Sequence, residues 1–142
     1  MKNMLLILSM MSLFSCDRIR KEDKQIYMVN NSSSRVVYMS SNSYPDTLNF
    51  MFNGCSTKDI GNIVSPGESK SIRLYSSWEK QLDEVPSKTI MFFVYNADSA
   101  GNIADNKIGC DSLRKRPDLI LKRFDVDINY LNQQDWKLAY AE

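Results

Sequence analysis

The sequence predicts a mainly β domain of the α+β class, either β-sandwich-like or a curved antiparallel sheet, with two or three short helices. Runs of β-branched and aromatic residues, such as RVVYMS and TIMFFVYN, recur along the chain and are separated by polar stretches with Pro, Gly and Asn. Helical spacing of apolar residues is confined to short stretches such as SWEKQLDEV and DINYLNQQD. A single domain of this class suits the length of the chain.

The N-terminal half of the domain predicts four strands. Residues 25–40 indicate two strands, QIYMVN and RVVYMS, joined by the polar turn NNSSS. A further strand ends at residues 63–64. SPGES then forms a turn, because Pro66 presets φ and Gly67 permits a positive φ. Residues 71–75 alternate between polar and apolar side chains, which predicts a strand with one buried face.

The middle of the chain predicts a short helix, a central strand and a loop. Ser77 is placed to cap a helix over SWEKQLDEV, and Pro86 ends it. TIMFFVYN, residues 89–96, is the most apolar run after residue 15 and is expected to be the central strand. Residues 96–110 are polar and contain glycine, so a loop is expected there.

The C-terminal part predicts two helical segments alternating with two strands. DSLRKRPD suits one or two helical turns, capped by Asp111 and ended by Pro117. LILKRFDV, residues 119–126, has strand composition, and DINYLNQQD follows as a short helix with Asp127 as N-cap. In WKLAY, residues 136–140, the even-numbered side chains alternate to one face of a final strand.

The first sixteen residues, MKNMLLILSMMSLFSC, are typical of an export signal. Lys2 precedes an apolar run over residues 4–14 that is too short to cross a bilayer, which takes about 20 apolar residues. The residues before Cys16 resemble a bacterial lipobox, with an aliphatic residue three positions earlier and a small one immediately before. Phe14 stands where that pattern usually has a small residue.

The lipobox predicts how the chain is divided. We expect residues 1–15 to be a cleaved signal peptide and Cys16 to carry acyl chains of the palmitate type. Residues 16–24 would then be a lipidated, charged tether, and residues 25–142 a single β-rich domain. Two or more acyl chains anchor a protein stably in a membrane. The alternative is an ordinary signal peptide cut elsewhere, with Cys16 incidental.

Cysteine usage and charge agree with export. With Cys16 assigned to lipid, Cys55 and Cys110 remain, and in an exported protein two such cysteines most often form a disulfide. Two buried free thiols are the alternative. Without Lys2, 17 basic residues balance 17 acidic ones, which gives no general attraction to nucleic acid or to anionic lipid. A local basic cluster, residues 114–116 and 122–123, could face lipid phosphates or an acidic glycan, although neighbouring acids favour a solvated face.

Several motifs in order resemble a known group of proteins. The lipobox, VNNSS, YPDT, PGES, SWEKQL and ILKRFDVDINYLNQQDWKLAY are similar to sequences of small lipoproteins of gut Bacteroidales, whose function is not established. The similarity covers most of residues 16–142 and is strongest over residues 119–140. This resemblance implies a lipid-anchored location in the cell envelope, at the outer membrane, and supplies no catalytic residue.

The resemblance also implies possible O-glycosylation. Bacteroidales glycosylate exported proteins where Asp is followed by Ser or Thr and then an aliphatic or small residue. Thr47, Ser99 and Ser112 each occur in such a triplet. The alternative is ordinary turn and capping chemistry, since Asp-Ser and Asp-Thr are common at loops and helix starts. Ser112 is the least favoured of the three because its hydroxyl could be engaged at a helix start.

The sequence provides little for catalysis. The chain has no histidine, which excludes Ser-His and Cys-His nucleophilic machinery and histidine-containing zinc sites. Neither glycine-rich phosphate-binding motif is present, and we expect no cofactor and no metal. Carboxylate pairs of the kind used by glycosidases remain open. The candidates are Glu79, Asp83, Asp98 and Asp105.

These observations predict a class of protein rather than a specific activity. The expectation is a non-catalytic envelope lipoprotein that binds or shields a protein or glycan partner, held to the membrane through Cys16. One alternative is a small glycan-acting hydrolase that uses paired carboxylates. Another is an inhibitor of a foreign envelope hydrolase, for which residues 96–110 are the candidate protruding loop.

Overall fold

The structure is a computed structural model that describes residues 24–46, 62–74, 76–103, 113 and 116–142. These residues form seven strands in two sheets and three short α-helices, which confirms the predicted mainly β, α+β class. The strands are β1 Ile26–Asn30, β2 Val36–Ser41, β3 Ile63–Val64, β4 Ser69–Ile72, β5 Ile90–Asn96, β6 Ile120–Val126 and β7 Lys137–Tyr140. The helices are α1 Trp78–Glu84, α2 Ala97–Ile103 and α3 Ile128–Gln133, and a 3₁₀ turn spans Pro117–Leu119.

The two sheets have different topologies. The three-stranded sheet has the order β4-β1-β7, in which β1 is antiparallel to β4 and parallel to β7. The four-stranded sheet has the order β3-β2-β5-β6 and is antiparallel throughout. Consecutive strands β1 and β2 therefore belong to different sheets, and the predicted polar turn between them carries the chain from one sheet to the other.

A buried asparagine fixes this crossover. Asn30 is fully buried, and its Nδ2 donates to the carbonyl oxygens of Ser34 at 2.8 Å and Val64 at 2.9 Å. Its Oδ1 accepts from the backbone N–H of Ser32 at 3.0 Å and from the Ser32 hydroxyl at 2.6 Å. Because one side chain bonds both the turn and β3, it ties the two sheets together at this point.

The main core lies between the two sheets, which is the sandwich-like arrangement. Ile26, Met28 and Leu138 from the three-stranded sheet are fully buried and belong to the same apolar cluster as Phe92 of β5. α1 closes one side of this core, with the Trp78 ring 5.9 Å from the Phe92 ring. Apolar faces of both sheets are thereby removed from water, which is the main favourable contribution to folding.

β5 is buried on both faces, as the apolar run over residues 89–96 predicts. Its odd-numbered residues lie in a second cluster on the outer face of the four-stranded sheet, where Phe93 and Tyr95 pack with Ala97, Ala100 and Leu113. Strands covered on both sides lose the usual alternation of polar and apolar residues. TIMFFVYN is therefore the central strand of its sheet.

The predicted caps of two helices are confirmed. The Ser77 hydroxyl accepts from the backbone N–H of Lys80 at 3.3 Å and starts α1. The Asp127 carboxylate accepts from the backbone N–H of Tyr130 at 2.7 Å and starts α3. Gly67 adopts φ 74°, as the SPGES turn requires. Among the helices described, none has the length and apolar character needed to cross a lipid bilayer.

The prediction of a loop over residues 96–110 is wrong for the first half of that range. Ala97–Ile103 form α2, and Asn96 caps it by accepting from the backbone N–H groups of Asp98 and Ser99, each at 3.0 Å. Ala97 and Ala100 are buried against the four-stranded sheet, and this tertiary contact outweighs the low helix propensity of the local sequence. Residues 104–110 and the predicted Asp111 cap lie outside the described residues.

Two strands are shorter than predicted. β4 ends at Ile72, which pairs with Ile26, and the Ile72 carbonyl then accepts from Trp78 Nε1 at 3.0 Å. Leu74 beyond it is 39% exposed, and residue 75 is outside the described part. At the other end of the chain, β7 starts at Lys137, because Trp136 has φ 60° and lies outside the extended region.

Candidate functional site

Two exposed surfaces of the domain combine aromatic and charged side chains. The first lies where residues 16–24 join the domain, and we call it the entry end. It consists of the exposed residues Lys24, Tyr27, Arg73, Leu74, Asp135 and Lys137 around the buried Trp136. The second lies on the outer face of the four-stranded sheet, and we call it the Tyr44 surface. It consists of Tyr44, Arg123 and Asp125.

Strand register brings the entry end together. Ile26 pairs with Ile72, so residues 73 and 74 leave the sheet at the end where residue 24 enters it. On the other side Tyr27 pairs with Lys137, and its backbone N–H donates to the carbonyl of Trp136 at 2.9 Å. Three segments that are distant in sequence therefore meet at one end of the three-stranded sheet.

The turn into β7 has an unusual backbone. Asp135 and Trp136 are consecutive non-glycine residues with positive φ, 50° and 60°. Bulky residues rarely adopt this region, and it persists only where surrounding contacts hold it. Here the backbone N–H of Trp136 donates to Leu131 at 2.9 Å, and that of Lys137 donates to Gln134 at 3.0 Å. These bonds attach the turn to the end of α3.

The indole of Trp136 closes one end of the main core. Its side chain belongs to the main buried cluster, and its Nε1 has no hydrogen-bond partner among the described residues. The Lys24 Nζ lies 5.1 Å from the centroid of the ring, within the range of a cation–π contact. The first described residue of the chain therefore covers the last tryptophan.

The entry end has more positively than negatively charged side chains. The Lys137 Nζ lies 2.8 Å from Asp135 Oδ2, and this hydrogen bond, helped by the charges of Lys137 and Lys24, lowers the pKa of Asp135. Asp135 is therefore ionised at neutral pH. With Arg73, the entry end has three cations and one carboxylate, so its charge is positive.

The Tyr44 surface is a stack of three side chains. The guanidinium carbon of Arg123 lies 5.8 Å from the centroid of the Tyr44 ring, and its Nη2 donates to Asp125 Oδ2 at 3.0 Å. Arg123 is opposite Phe93 in the β5–β6 register, so the stack lies beside the buried second cluster. The Tyr44 ring remains 41% exposed. Leu121, the unpaired residue of a bulge on the same strand, is 44% exposed.

The predicted basic cluster is divided among local ion pairs. Arg116 Nη2 lies 2.7 Å from Asp118 Oδ2, and Arg123 pairs with Asp125. Side-chain hydrogen bonds from Arg116 lower the pKa of Asp118. Neighbouring acids therefore offset these two arginines, as expected for a solvated face. Residues 114 and 115 lie outside the described part.

Most of the predicted modification sites lie outside the described residues. They are the lipidation site Cys16, the disulfide candidates Cys55 and Cys110, and the glycosylation candidates Thr47 and Ser112. These assignments stay predictions. Ser99 is described: it is exposed in the first turn of α2, where its neighbour Asp98 pairs with Arg35. An exposed position is compatible with glycosylation, although the residue is helical rather than in the expected loop.

The described carboxylate candidates do not form a pair. Asp83 on α1 is ion-paired with Lys88, and Asp98 on α2 is ion-paired with Arg35. Glu79 is exposed in the first turn of α1, and Asp105 lies outside the described residues. The hydrogen bond from Lys88 lowers the pKa of Asp83. In the described part of the chain, no three Cys, Asp or Glu side chains are grouped as a metal site requires.

Sequence reasoning placed Arg123 in a basic cluster but did not assemble either surface. Trp136 was expected to be an ordinary strand residue, and no glycine marks the positive φ of the turn before β7. Tyr44 lies between the predicted strands, and its contact with Arg123 joins residues 79 positions apart. The one sequence signal for this contact is that a tyrosine and a basic strand can form a cation–π pair.

Comparison with protein-family models, with curated proteins and with solved structures finds no match for this chain.

Proposed function

We propose that this protein is a lipid-anchored cell-envelope protein whose β domain binds or shields a protein or glycan partner and catalyses no reaction. The anchor is Cys16, at the outer membrane, and residues 16–24 are the tether. The partner-binding region is the Tyr44 surface. The observation that carries the proposal is the cation–π contact of Arg123 with the exposed Tyr44 ring, beside the buried second cluster.

The chemistry of the Tyr44 surface suits binding. Tyrosine and arginine are the residue types most enriched at interface positions that contribute strongly to affinity. Arg123 is held between the Tyr44 ring and the Asp125 carboxylate, so binding a partner costs little side-chain entropy. The exposed ring also provides a flat apolar face that can stack on a sugar or an apolar side chain.

The electrostatics of the described carboxylates support a non-catalytic domain. Hydrogen bonds and neighbouring cations lower the pKa of each of four exposed carboxyl groups, Glu68, Asp83, Asp118 and Asp135. A glycosidase general acid needs the opposite shift, which comes from burial or a neighbouring carboxylate. These groups are therefore better suited to surface ion pairs than to proton donation.

The structure weakens the alternative that this protein inhibits a foreign hydrolase. It requires a protruding loop over residues 96–110 that could enter an active site. Ala97–Ile103 instead form α2, whose Ala97 and Ala100 side chains are buried against the sheet. A helix fixed to the domain in this way does not protrude as an inhibitory loop.

Two matched tyrosine variants test the proposed binding surface. Tyr44→Ala removes the ring of the Tyr44 surface, and Tyr27→Ala removes a tyrosine of nearly equal exposure, 40% against 41%, on the other sheet. Each tagged protein is cross-linked in intact cells, and the captured partners are quantified by mass spectrometry. We expect a specific partner to be lost from the Tyr44→Ala sample and retained with Tyr27→Ala. Equal capture by the wild type and both variants would contradict the proposal.

A further inference from the structure

We propose that the entry end rests on the headgroups of anionic phospholipids in the membrane that holds Cys16. This inference depends on the proposed lipid anchor and adds a second, electrostatic contact made by the folded domain itself. The length of the tether, the charge of the entry end and the exposure of its apolar side chains support this contact.

The tether is too short to hold the domain far from the membrane. Eight peptide steps separate Cys16 from Lys24. A fully extended chain covers about 3.5 Å per step, so Lys24 lies at most about 28 Å from the anchored cysteine. The entry end is the first part of the domain after the tether, and it therefore faces the membrane at high effective concentration.

The entry end has the charge that an anionic surface attracts. Lys24, Arg73 and Lys137 are all exposed, and the single carboxylate, Asp135, is engaged by Lys137. Each basic residue close to an anionic bilayer strengthens binding by about fivefold. Residues 17–23 contain three acidic and three basic side chains, so the excess positive charge comes from Lys24 and the domain.

The apolar side chains of the entry end suit the headgroup region. Tyr27 is 40% exposed and Leu74 is 39% exposed, so both side chains are available to a membrane surface. Tyrosine is favoured at membrane interfaces because its ring is apolar and its hydroxyl can stay in water. A basic surface with one tyrosine and one leucine matches the composition of peripheral membrane contacts.

This contact would orient the domain. β1 starts at the entry end and runs to Asn30, so the opposite end of the three-stranded sheet points away from the bilayer. That opposite end includes the turn at Ser33, whose hydroxyl donates to the Glu142 carboxylate at 3.0 Å. The Tyr44 surface, on the outer face of the other sheet, remains accessible to a partner.

Lysine footprinting on vesicles tests the contact in the anchored protein. The acylated protein is reconstituted in vesicles of phosphatidylcholine with or without phosphatidylglycerol, and acetylation of each lysine is followed by mass spectrometry. We expect Lys24 and Lys137 to react at least about fivefold more slowly on the anionic vesicles. Lys122, exposed on the other sheet, should react equally on both, and high salt should remove the difference. Equal rates at Lys24 and Lys137 on both vesicles would overturn the inference.

A second experiment separates this inference from the anchor. The chain without residues 1–15 and with Cys16→Ser has no acyl chain, and its binding to phosphatidylglycerol vesicles is measured by sedimentation. Lys24→Gln with Lys137→Gln should weaken this binding by about 25-fold. The matched control, Lys80→Gln with Lys122→Gln, has the same net charge and should change it little. Equal effects of the two pairs would overturn the inference, whereas an unacylated Cys16 in the native protein would overturn the proposed anchor.

Discussion

The Lys24 ammonium lies 5.1 Å above the ring of Trp136, so the first described residue covers the tryptophan that precedes the last strand. This contact joins the two ends of the domain across the parallel pairing of β1 with β7. Lys24 is therefore attached to the folded domain at the entry end.

Replacing Lys24 tests this relationship. Lys24→Gln removes the cation over the ring and is expected to lower the free energy of unfolding by about 0.5–1 kcal/mol, the range of an exposed cation–π contact. Urea unfolding followed by circular dichroism measures the change. Lys80→Gln, which removes an exposed (i, i+4) pair with Glu84, is the control and should cost no more than about 0.5 kcal/mol. An equal or smaller loss for Lys24→Gln than for the control would contradict the contact.

Because the Asn30 side chain is buried and hydrogen-bonded, its removal is expected to lower the free energy of unfolding considerably. Asn30→Ala leaves the carbonyl of Val64 and the groups of the Ser32 turn without their partner. Leaving buried polar groups unsatisfied costs about 1–3 kcal/mol, so a loss of about 2–3 kcal/mol is expected. Urea unfolding provides the measurement, with the exposed Asn132→Ala as control. If the two variants unfold at the same urea concentration, Asn30 does not fix the crossover.

Two neighbouring positions on α2 test the helix that replaced the predicted loop. Ala100 is 1% exposed against the second cluster, whereas Ser99 is exposed one residue earlier. Ala100→Asp buries an unpaired charge and should destabilise the protein by more than about 3 kcal/mol, whereas Ser99→Asp should change stability by less than about 0.5 kcal/mol. Thermal unfolding distinguishes them. Similar melting temperatures for both variants would indicate a loop.

The fold was largely predictable because its strands are marked locally. TIMFFVYN is apolar throughout and became the central strand, and Ser77 and Asp127 were recognisable caps that the structure confirms. These features depend on spacing within a few residues. Local sequence therefore specified where most elements lie.

The features that could not be predicted depend on contacts between distant segments. α2 forms because Ala97 and Ala100 find an apolar sheet to cover, and nothing in NADSAGNI shows that this sheet exists. The assignment of β1 and β2 to different sheets depends on pairing with β7 and β5, at least fifty residues away along the chain. The entry end and the Tyr44 surface also form only where segments distant in sequence meet.

Buried tyrosine predicts loss of stability at high pH. Desolvation raises the pKa of Tyr38 from 10.0 to about 12. The folded state therefore keeps the proton when the unfolded chain releases it. The stabilisation is complete below pH 10 and is lost as the pH rises from about 10 towards 12. Urea unfolding between pH 8 and 12 should show this fall, and Tyr38→Phe should reduce it. An unchanged pH dependence in Tyr38→Phe would contradict the assignment.

Intact-mass spectrometry of the protein purified from its own membranes tests the proposed lipid anchor at Cys16. We expect a chain that begins at Cys16, lacks residues 1–15 and has the added mass of two or three acyl chains. A chain that retains residues 1–15, or one that begins elsewhere with an unmodified Cys16, would contradict it.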